Sequence, residues 1–151
     1  MIVREYLSAD FPQVEKLWKE TCIFTEERGD PTAIIHRCNS LGGKFLIMED
    51  TESNVIAGTS WMTFDGRHIH LHHFAIKPSY QKKGLGRHLA MESLNFAHNL
   101  GCPMKLEVHH KNNSAIHLYH SLGFTAFDDY CVFMILDPGE ALASKNDMNA
   151  T

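Results

Sequence analysis

Four of the chain's 11 histidines stand in one run, His68-Ile69-His70-Leu71-His72-His73. On a strand, alternation sends His68, His70 and His72 to one face. An imidazole with an unperturbed pKa of about 6.5 can take a proton at neutral pH, directly or through water. A few residues on, Gln81-Lys82-Lys83-Gly84-Leu85-Gly86-Arg87 combines two glycines with three cations. Glycines let a backbone come close to an anion, and a helix opening there turns its N–H groups and positive end toward it. Lys82, Lys83 and Arg87 add mobile charge suited to a ligand with several phosphates. Tyr119 is a third candidate: a phenol of pKa about 10 stays protonated at pH 7 and can donate.

Each of these has a plainer reading. The histidines equally fit ordinary strand positions facing solvent or a helix. Tyr119 borders an apolar stripe of Ala115, Leu118 and Leu122, where packing alone would explain it. His-x-His on one face could also supply two zinc ligands, with His109-His110 as a third. No carboxylate or thiol is spaced to complete that set, so no metal site is expected.

The elements that must position these groups follow from punctuation and periodicity. Ile2 to Leu7 reads as a strand. Asp10 with Gln13 reads as a capping box before a helix whose apolar stripe is Val14, Leu17, Trp18 and Cys22. Glu26 to Pro31 breaks that helix, and Thr32 to Cys38 forms a second. Lys44 to Met48, Val55 to Phe64 and Arg67 to Ile76 read as antiparallel strands, the last two joined by an Asp65-Gly66 turn. After Pro78 the spacing becomes helical through Leu89, Ala90, Leu94, Ala97 and Leu100, with Gly101 as the stop. Lys105 to Val108 is a short strand, and a helix through Ala115 and Leu122 ends at Gly123. Strands at Phe124 to Phe127 and Cys131 to Leu136 complete the order. The pattern is β-α-α-β-β-β-α-β-α-β-β, an α+β mixed sheet flanked by helices. One domain over residues 1–137 is expected, with a polar tail over 138–151.

Context decides among known phosphate loops. A Walker loop needs Gly-Lys-Ser/Thr at the helix start, whereas Gly86 is followed by Arg87 and His88. A dinucleotide fingerprint needs a third glycine and a parallel βαβ unit near the chain's start. Gln-x-x-Gly-x-Gly between a fourth strand and a third helix instead resembles the GNAT superfamily of N-acetyltransferases. Asn112, Ala115-Ile116-His117-Leu118-Tyr119 and Leu122-Gly123-Phe124 resemble that family's second block, and the element order is similar from Ile2 to Leu136.

The resemblance implies a mostly antiparallel sheet splayed between the fourth and fifth strands, with helices on both faces. It implies acetyl-CoA as cosubstrate: the backbone of Phe74, Ala75 and Ile76 would pair with the pantetheine arm, and Gln81, Lys82, Lys83, Gly84, Leu85, Gly86 and Arg87 would hold the pyrophosphate. Asn112 and Tyr119 fall in the second cofactor-contacting block. Tyr119 resembles the tyrosine that protonates the departing CoA sulfur. His70 and His72 are similar to the histidine pair acting as base in serotonin N-acetyltransferase, another member of the superfamily. An oxyanion donor is expected from a backbone N–H near Phe74 or Ala75.

The implied activity is acetyl transfer to an amine nitrogen by direct attack. Cys102 and Cys131 have no partner pattern for a covalent nucleophile. A non-catalytic CoA-binding regulatory module on the same fold is the alternative, and a histidine-rich metal-binding β protein is a third class. Glu20, Glu26, Glu27 and Asp30 lie in the segment expected to shape the acceptor pocket. They suggest a cationic small-molecule amine, such as a polyamine or aminoglycoside, or a peptide amino terminus. A merely solvated acidic loop is an equal reading.

Bulk properties agree. The 151 residues are 44% hydrophobic and 21% charged, as in globular domains. A net charge of -4 argues against nucleic acid as a partner. No apolar run approaches the roughly 20 residues of a membrane span, and Met1 to Glu5 lacks a signal-peptide core, so a cytoplasmic protein without membrane association is expected. The four cysteines form no Cys-x-x-Cys pair and read as buried thiols. If the chain self-associates, a homodimer is the expected form.

Overall fold

The computed structural model describes residues 1–24, 31–135, 137–140 and 142. It divides into two compact units, Met1–Leu118 and Tyr119–Thr151.

In the first unit, five strands lie in the order β1 (Ile2–Glu5), β2 (Lys44–Asp50), β3 (Val55–Phe64), β4 (Ile69–Ile76) and β5 (Met104–Leu106). The first four pair antiparallel, and β4 pairs parallel with β5. Among the described residues four α-helices accompany them: α1 (Phe11–Glu20), α2 (Pro31–Ser40), α3 (Leu85–Leu100) and α4 (Asn113–Ser121), the last ending across the unit boundary. No described helix is long and apolar enough to cross a membrane.

The sheet is covered on both faces, so β3 is buried without a break from Ile56 to Met62, its polar Thr59 and Ser60 included. Against one face, α1 and α2 bury Val14, Leu17, Trp18 and Ile35 on Phe45, Ile47, Ile56, Trp61 and Ala75. Trp18, Phe45 and Trp61 form a three-ring cluster, Trp18 stacking on Phe45 and Trp61 at 5.8 and 6.1 Å and those two lying 5.9 Å apart. On the opposite face α3 buries Leu89, Ala90 and Ala97. There Ser60 and Ser93, both buried, share a hydroxyl hydrogen bond of 2.7 Å.

Several expectations need correction. The Asp10-Gln13 capping box does not form: the Asp10 carboxylate accepts from the Leu7 N–H and from Arg4. Gln13 instead ties α1 to β3, its Oε1 accepting from the Ile56 N–H at 3.0 Å. Cys22 is exposed, because α1 stops at Glu20 and Cys22 sits in the following turn with φ 58. Cys131 is exposed as well, and Cys38 and Cys102 are only half-buried. At the β3–β4 turn only Gly66 takes a positive φ, while the Asp65 carboxylate accepts from the Arg67 N–H at 2.8 Å. The break expected over Glu26 to Asp30 lies outside the described residues.

In the second unit α4 ends before Gly123, whose φ is 92. The strands expected at Phe124 to Phe127 and Cys131 to Leu136 are absent among the described residues. Alternation says which side chains would share a face, but a strand also needs an edge to pair with. Phe133, 92% exposed, has no covered face to occupy.

One ion-pair hub ties the first strand to its surroundings: Arg4 forks onto Asp10 at 2.8 and 2.9 Å and reaches Glu49 at 2.6 Å. The hydrogen bond from Arg4 holds the Asp10 carboxyl below its usual range. A carboxylate depressed in the folded state stabilises above its unfolded pKa and loses that contribution as pH falls through the folded value. The urea midpoint should therefore hold steady above about pH 5 and fall below about pH 4. Asp10→Asn should flatten that acid limb.

Candidate active site

The β4 strand brings three histidines together. His70 and His72 share a face, with ring centroids 3.9 Å apart. The His72 Nε2 lies 2.9 Å from the Thr63 hydroxyl, and His70 Nε2 is 3.9 Å from a Glu107 carboxylate oxygen. Burial pushes the His70 pKa down, with Glu107 opposing, so the neutral imidazole persists to lower pH. His68 sits at the turn, 3.6 Å from Asp65.

Simple alternation would send His73 to the opposite face. Instead the β3–β4 register shifts between Thr59 and Trp61, since Thr59 pairs with Ala75 and Trp61 with His72. Two β4 residues, His73 and Phe74, thus oppose Ser60 alone, which is a β-bulge. His73 takes φ 40, a left-handed backbone that costs a non-glycine residue about 1–3 kcal/mol. Its ring is held 4.4 Å from Trp18 and 5.2 Å from Trp61. The imidazoles of His72 and His73 therefore border the aromatic core under α1, His72 lying 6.2 Å from Trp61, with His70 stacked behind His72.

Beyond Leu71 the sheet opens. Only Ile69, His70 and Leu71 have registered β5 partners, and β5 ends at Leu106 while β4 runs on to Ile76. This places Phe74, Ala75 and Ile76 alongside the opening, immediately before the glycine loop.

In that loop Gly84 is the helix N-cap with φ 77, and no side chain caps α3. The opening amides of a helix have no carbonyl one turn back, so they remain aimed out of its end. Lys82, Lys83 and Arg87 are exposed around it. Two exposed side chains also brace the loop: Gln81 Nε2 donates to the Ile76 carbonyl at 2.9 Å, and Lys83 Nζ donates to the Ser79 carbonyl at 3.0 Å. Tyr80 adds a further tie, donating to Asp50 at 2.7 Å.

The two glycines differ in why they are needed. A Cβ at Gly84 would meet open space but face the left-handed φ penalty, whereas one at Gly86 would meet Ile76 and Leu118 at ordinary contact, 3.6 Å each. Gly84→Ala should therefore cost about 1–2 kcal/mol. Gly86→Ala, gaining helix propensity, should be neutral or stabilise by up to about 1 kcal/mol. Chemical denaturation of the two variants reads the contrast.

Asn112 caps α4, its side-chain oxygen accepting from the Ala115 N–H at 3.2 Å. His109 and His110 lie past β5 and stack on one another at 4.6 Å. Among the described residues no three His, Cys, Asp or Glu side chains converge as metal ligands. Glu20 is already engaged by Lys77 at 2.7 Å, and Glu26, Glu27 and Asp30 lie outside the described residues. In the second unit Tyr119 is 9% exposed, and burial pushes its pKa up to about 12. Its ring meets Phe124 edge-on at 5.6 Å.

Residues 11–124 match the acetyltransferase (GNAT) family. The chain belongs to that family. Its GNAT relatives include an L-methionine sulfoximine/L-methionine sulfone acetyltransferase of Salmonella typhimurium. That protein is 31% identical over 115 residues, covering 72% of this chain and 64% of the relative. The curated relatives it matches are covered over only 64, 50 and 33% of their lengths. Among solved structures, yncA from Salmonella typhimurium with its cofactor acetyl-CoA is 27% identical, at a TM-score of 0.69, over 83% of this chain and 79% of that one. A Trypanosoma brucei acetyltransferase shares the fold, with TM-score 0.72 and 20% identity over 89% of this chain and 99% of that one. The mixed sheet with its opening between β4 and β5 is thus the GNAT fold.

Proposed function

We propose that this GNAT chain is an N-acetyltransferase that moves the acetyl group of acetyl-CoA onto an amine by direct attack. The observation that carries this reading is the uncapped start of α3 at Gly84, φ 77, flanked by exposed Lys82, Lys83 and Arg87 and preceded by the open edge of β4. Such a helix start, with cations around it, suits a diphosphate. The residues fit the cosubstrate: Gln81 to Arg87 hold its pyrophosphate, with Gln81 and Lys83 acting mainly by bracing the loop. The backbone of Phe74 to Ile76 lies along its pantetheine arm. Asn112 contributes by setting the start of α4.

Acyl transfer needs an unprotonated amine, a stabilised oxyanion and a proton for the departing thiolate. His70, whose pKa burial pushes down, and His72 beside it take the amine's proton through water. Tyr119 donates to the sulfur, and a phenol whose pKa stands at about 12 keeps its proton for that step. The C–N bond would form first, giving the oxyanion, whose collapse would break the thioester C–S bond; the amine proton would leave by way of the histidines, and Tyr119 would regain its proton from solvent.

For the acceptor, the names of the relatives support the amino group of an amino acid or of a chain's amino terminus. Besides the methionine sulfoximine enzyme they include an L-amino acid N-acyltransferase of Escherichia coli and an N-alpha-acetyltransferase of Mycobacterium tuberculosis. With Glu20 engaged by Lys77, the case for a polycationic acceptor weakens. We assign the acceptor as the α-amino group of an amino acid. The test follows free CoA with L-amino acids, peptide amino termini, polyamines and aminoglycosides side by side. Release with L-amino acids, and mass-confirmed N-acetyl product, is expected. No release with any amine would contradict the reading and favour a regulatory CoA-binding module.

A further inference from the structure

We infer that buried Thr59 is a positioning residue, whose hydroxyl sets the orientation of the His73–Phe74 peptide at the β4 bulge. The inference rests on the acetyltransferase reading for its catalytic consequence, but the geometry stands independently. Trp18 Nε1 donates to Thr59 Oγ1 at 3.0 Å, and Thr59 Oγ1 donates to the His73 carbonyl at 2.9 Å. Both Trp18 and Thr59 are buried, at 1% and 0% exposure. The hydroxyl therefore commits one acceptor lone pair to Trp18 and its single proton to His73.

In a regular antiparallel ladder backbone carbonyls lie in the sheet and bond the neighbouring strand. The His73 carbonyl accepts from a side chain, the Thr59 hydroxyl, at the point where the β3–β4 register shifts. A trans peptide is planar, so its C=O and N–H point in opposite directions. Holding the His73 oxygen on Thr59 therefore fixes the direction of the Phe74 N–H, away from Thr59. That peptide lies just past the end of β5 pairing, along the edge where the thioester would rest. The φ of 40 at His73 is an unfavourable angle that requires outside support, and the Trp18–Thr59 chain supplies it. Thr59 touches no substrate in this account; it acts through the backbone of β4.

The test compares Thr59→Val, which keeps the shape and removes the hydroxyl, with Thr59→Ser, which keeps the hydroxyl. In the full chain, Thr59→Val should lower kcat about 10-fold or more, with KM for acetyl-CoA within about two-fold, because the loop at Gly84 supplies that affinity. Thr59→Ser should restore kcat to within about two-fold of the wild type. Amide NMR shifts should move at residues 72–75 in Thr59→Val and stay in place at 82–87. A folded Thr59→Val with wild-type kcat and unmoved shifts at 72–75 overturns the inference, as does a Thr59→Ser that loses as much as Thr59→Val. Should Thr59→Val fail to fold, Trp18→Phe takes its place, with the same shifts expected to move and unmoved shifts again overturning it. If the wild-type chain transfers no acetyl group, the acetyltransferase reading fails, and the NMR comparison still decides whether Thr59 holds the bulge.

Discussion

Tyr119→Phe is expected to lower kcat about 100-fold or more while leaving KM for acetyl-CoA within about two-fold. The phenol is buried and its pKa is pushed up to about 12 by desolvation, so it remains a proton donor throughout the neutral range. An acid group loses function as pH rises through its pKa. No fall in rate between about pH 7 and 10 should therefore be traceable to Tyr119. Phenylalanine keeps the edge-on contact with Phe124, 5.6 Å in the native protein, so the variant should fold normally. Steady-state kinetics on a variant of unchanged thermal midpoint isolates the lost proton. A rate equal to the wild type would return Tyr119 to a packing role.

The second large effect concerns the histidine pair. His70→Gln with His72→Gln should reduce turnover about 100-fold, with each single variant losing less, since one imidazole can still relay through water. Burial lowers the His70 pKa against the pull of Glu107. A base must be unprotonated, so the wild-type rate should fall only as pH drops below about 6.5. In the double variant that acid limb should disappear. Glu107→Gln should move the limb to still lower pH, because it removes the charge that favours the imidazolium. Rates recorded from pH 5 to 9 read all of these, and an unchanged profile in the double variant would remove both histidines from the mechanism.

Much of this scaffold was legible from periodicity. The limits of β3, the Val14-Leu17-Trp18 stripe and the glycine stops at Gly101 and Gly123 all follow from local rules, because the side chains that decide them are neighbours along the chain. Alternation likewise put His70 and His72 on one face, where they now sit 3.9 Å apart. His73 escaped it. The bulge that turns His73 toward Trp18 depends on a hydrogen bond to Thr59, 14 residues away, and no local pattern encodes one extra residue in a strand. Gln81 and Asn112 were recognisable as members of the two family blocks. Their side-chain directions, onto the Ile76 carbonyl and the Ala115 amide, are set by packing that spacing does not carry. After Gly123 the apolar pattern of Phe124 to Ile135 has the right period for strands, yet its described residues form none. Period alone does not supply a pairing edge.

Titrating acetyl-CoA into the purified chain by calorimetry addresses the glycine loop most directly. A saturable heat at one site per chain is expected, with affinity in the micromolar to millimolar span usual for such substrates. It should weaken as salt screens Lys82, Lys83 and Arg87. Acetyl-CoA that produces no heat at any concentration up to about a millimolar would contradict the assignment of that loop to the CoA diphosphate.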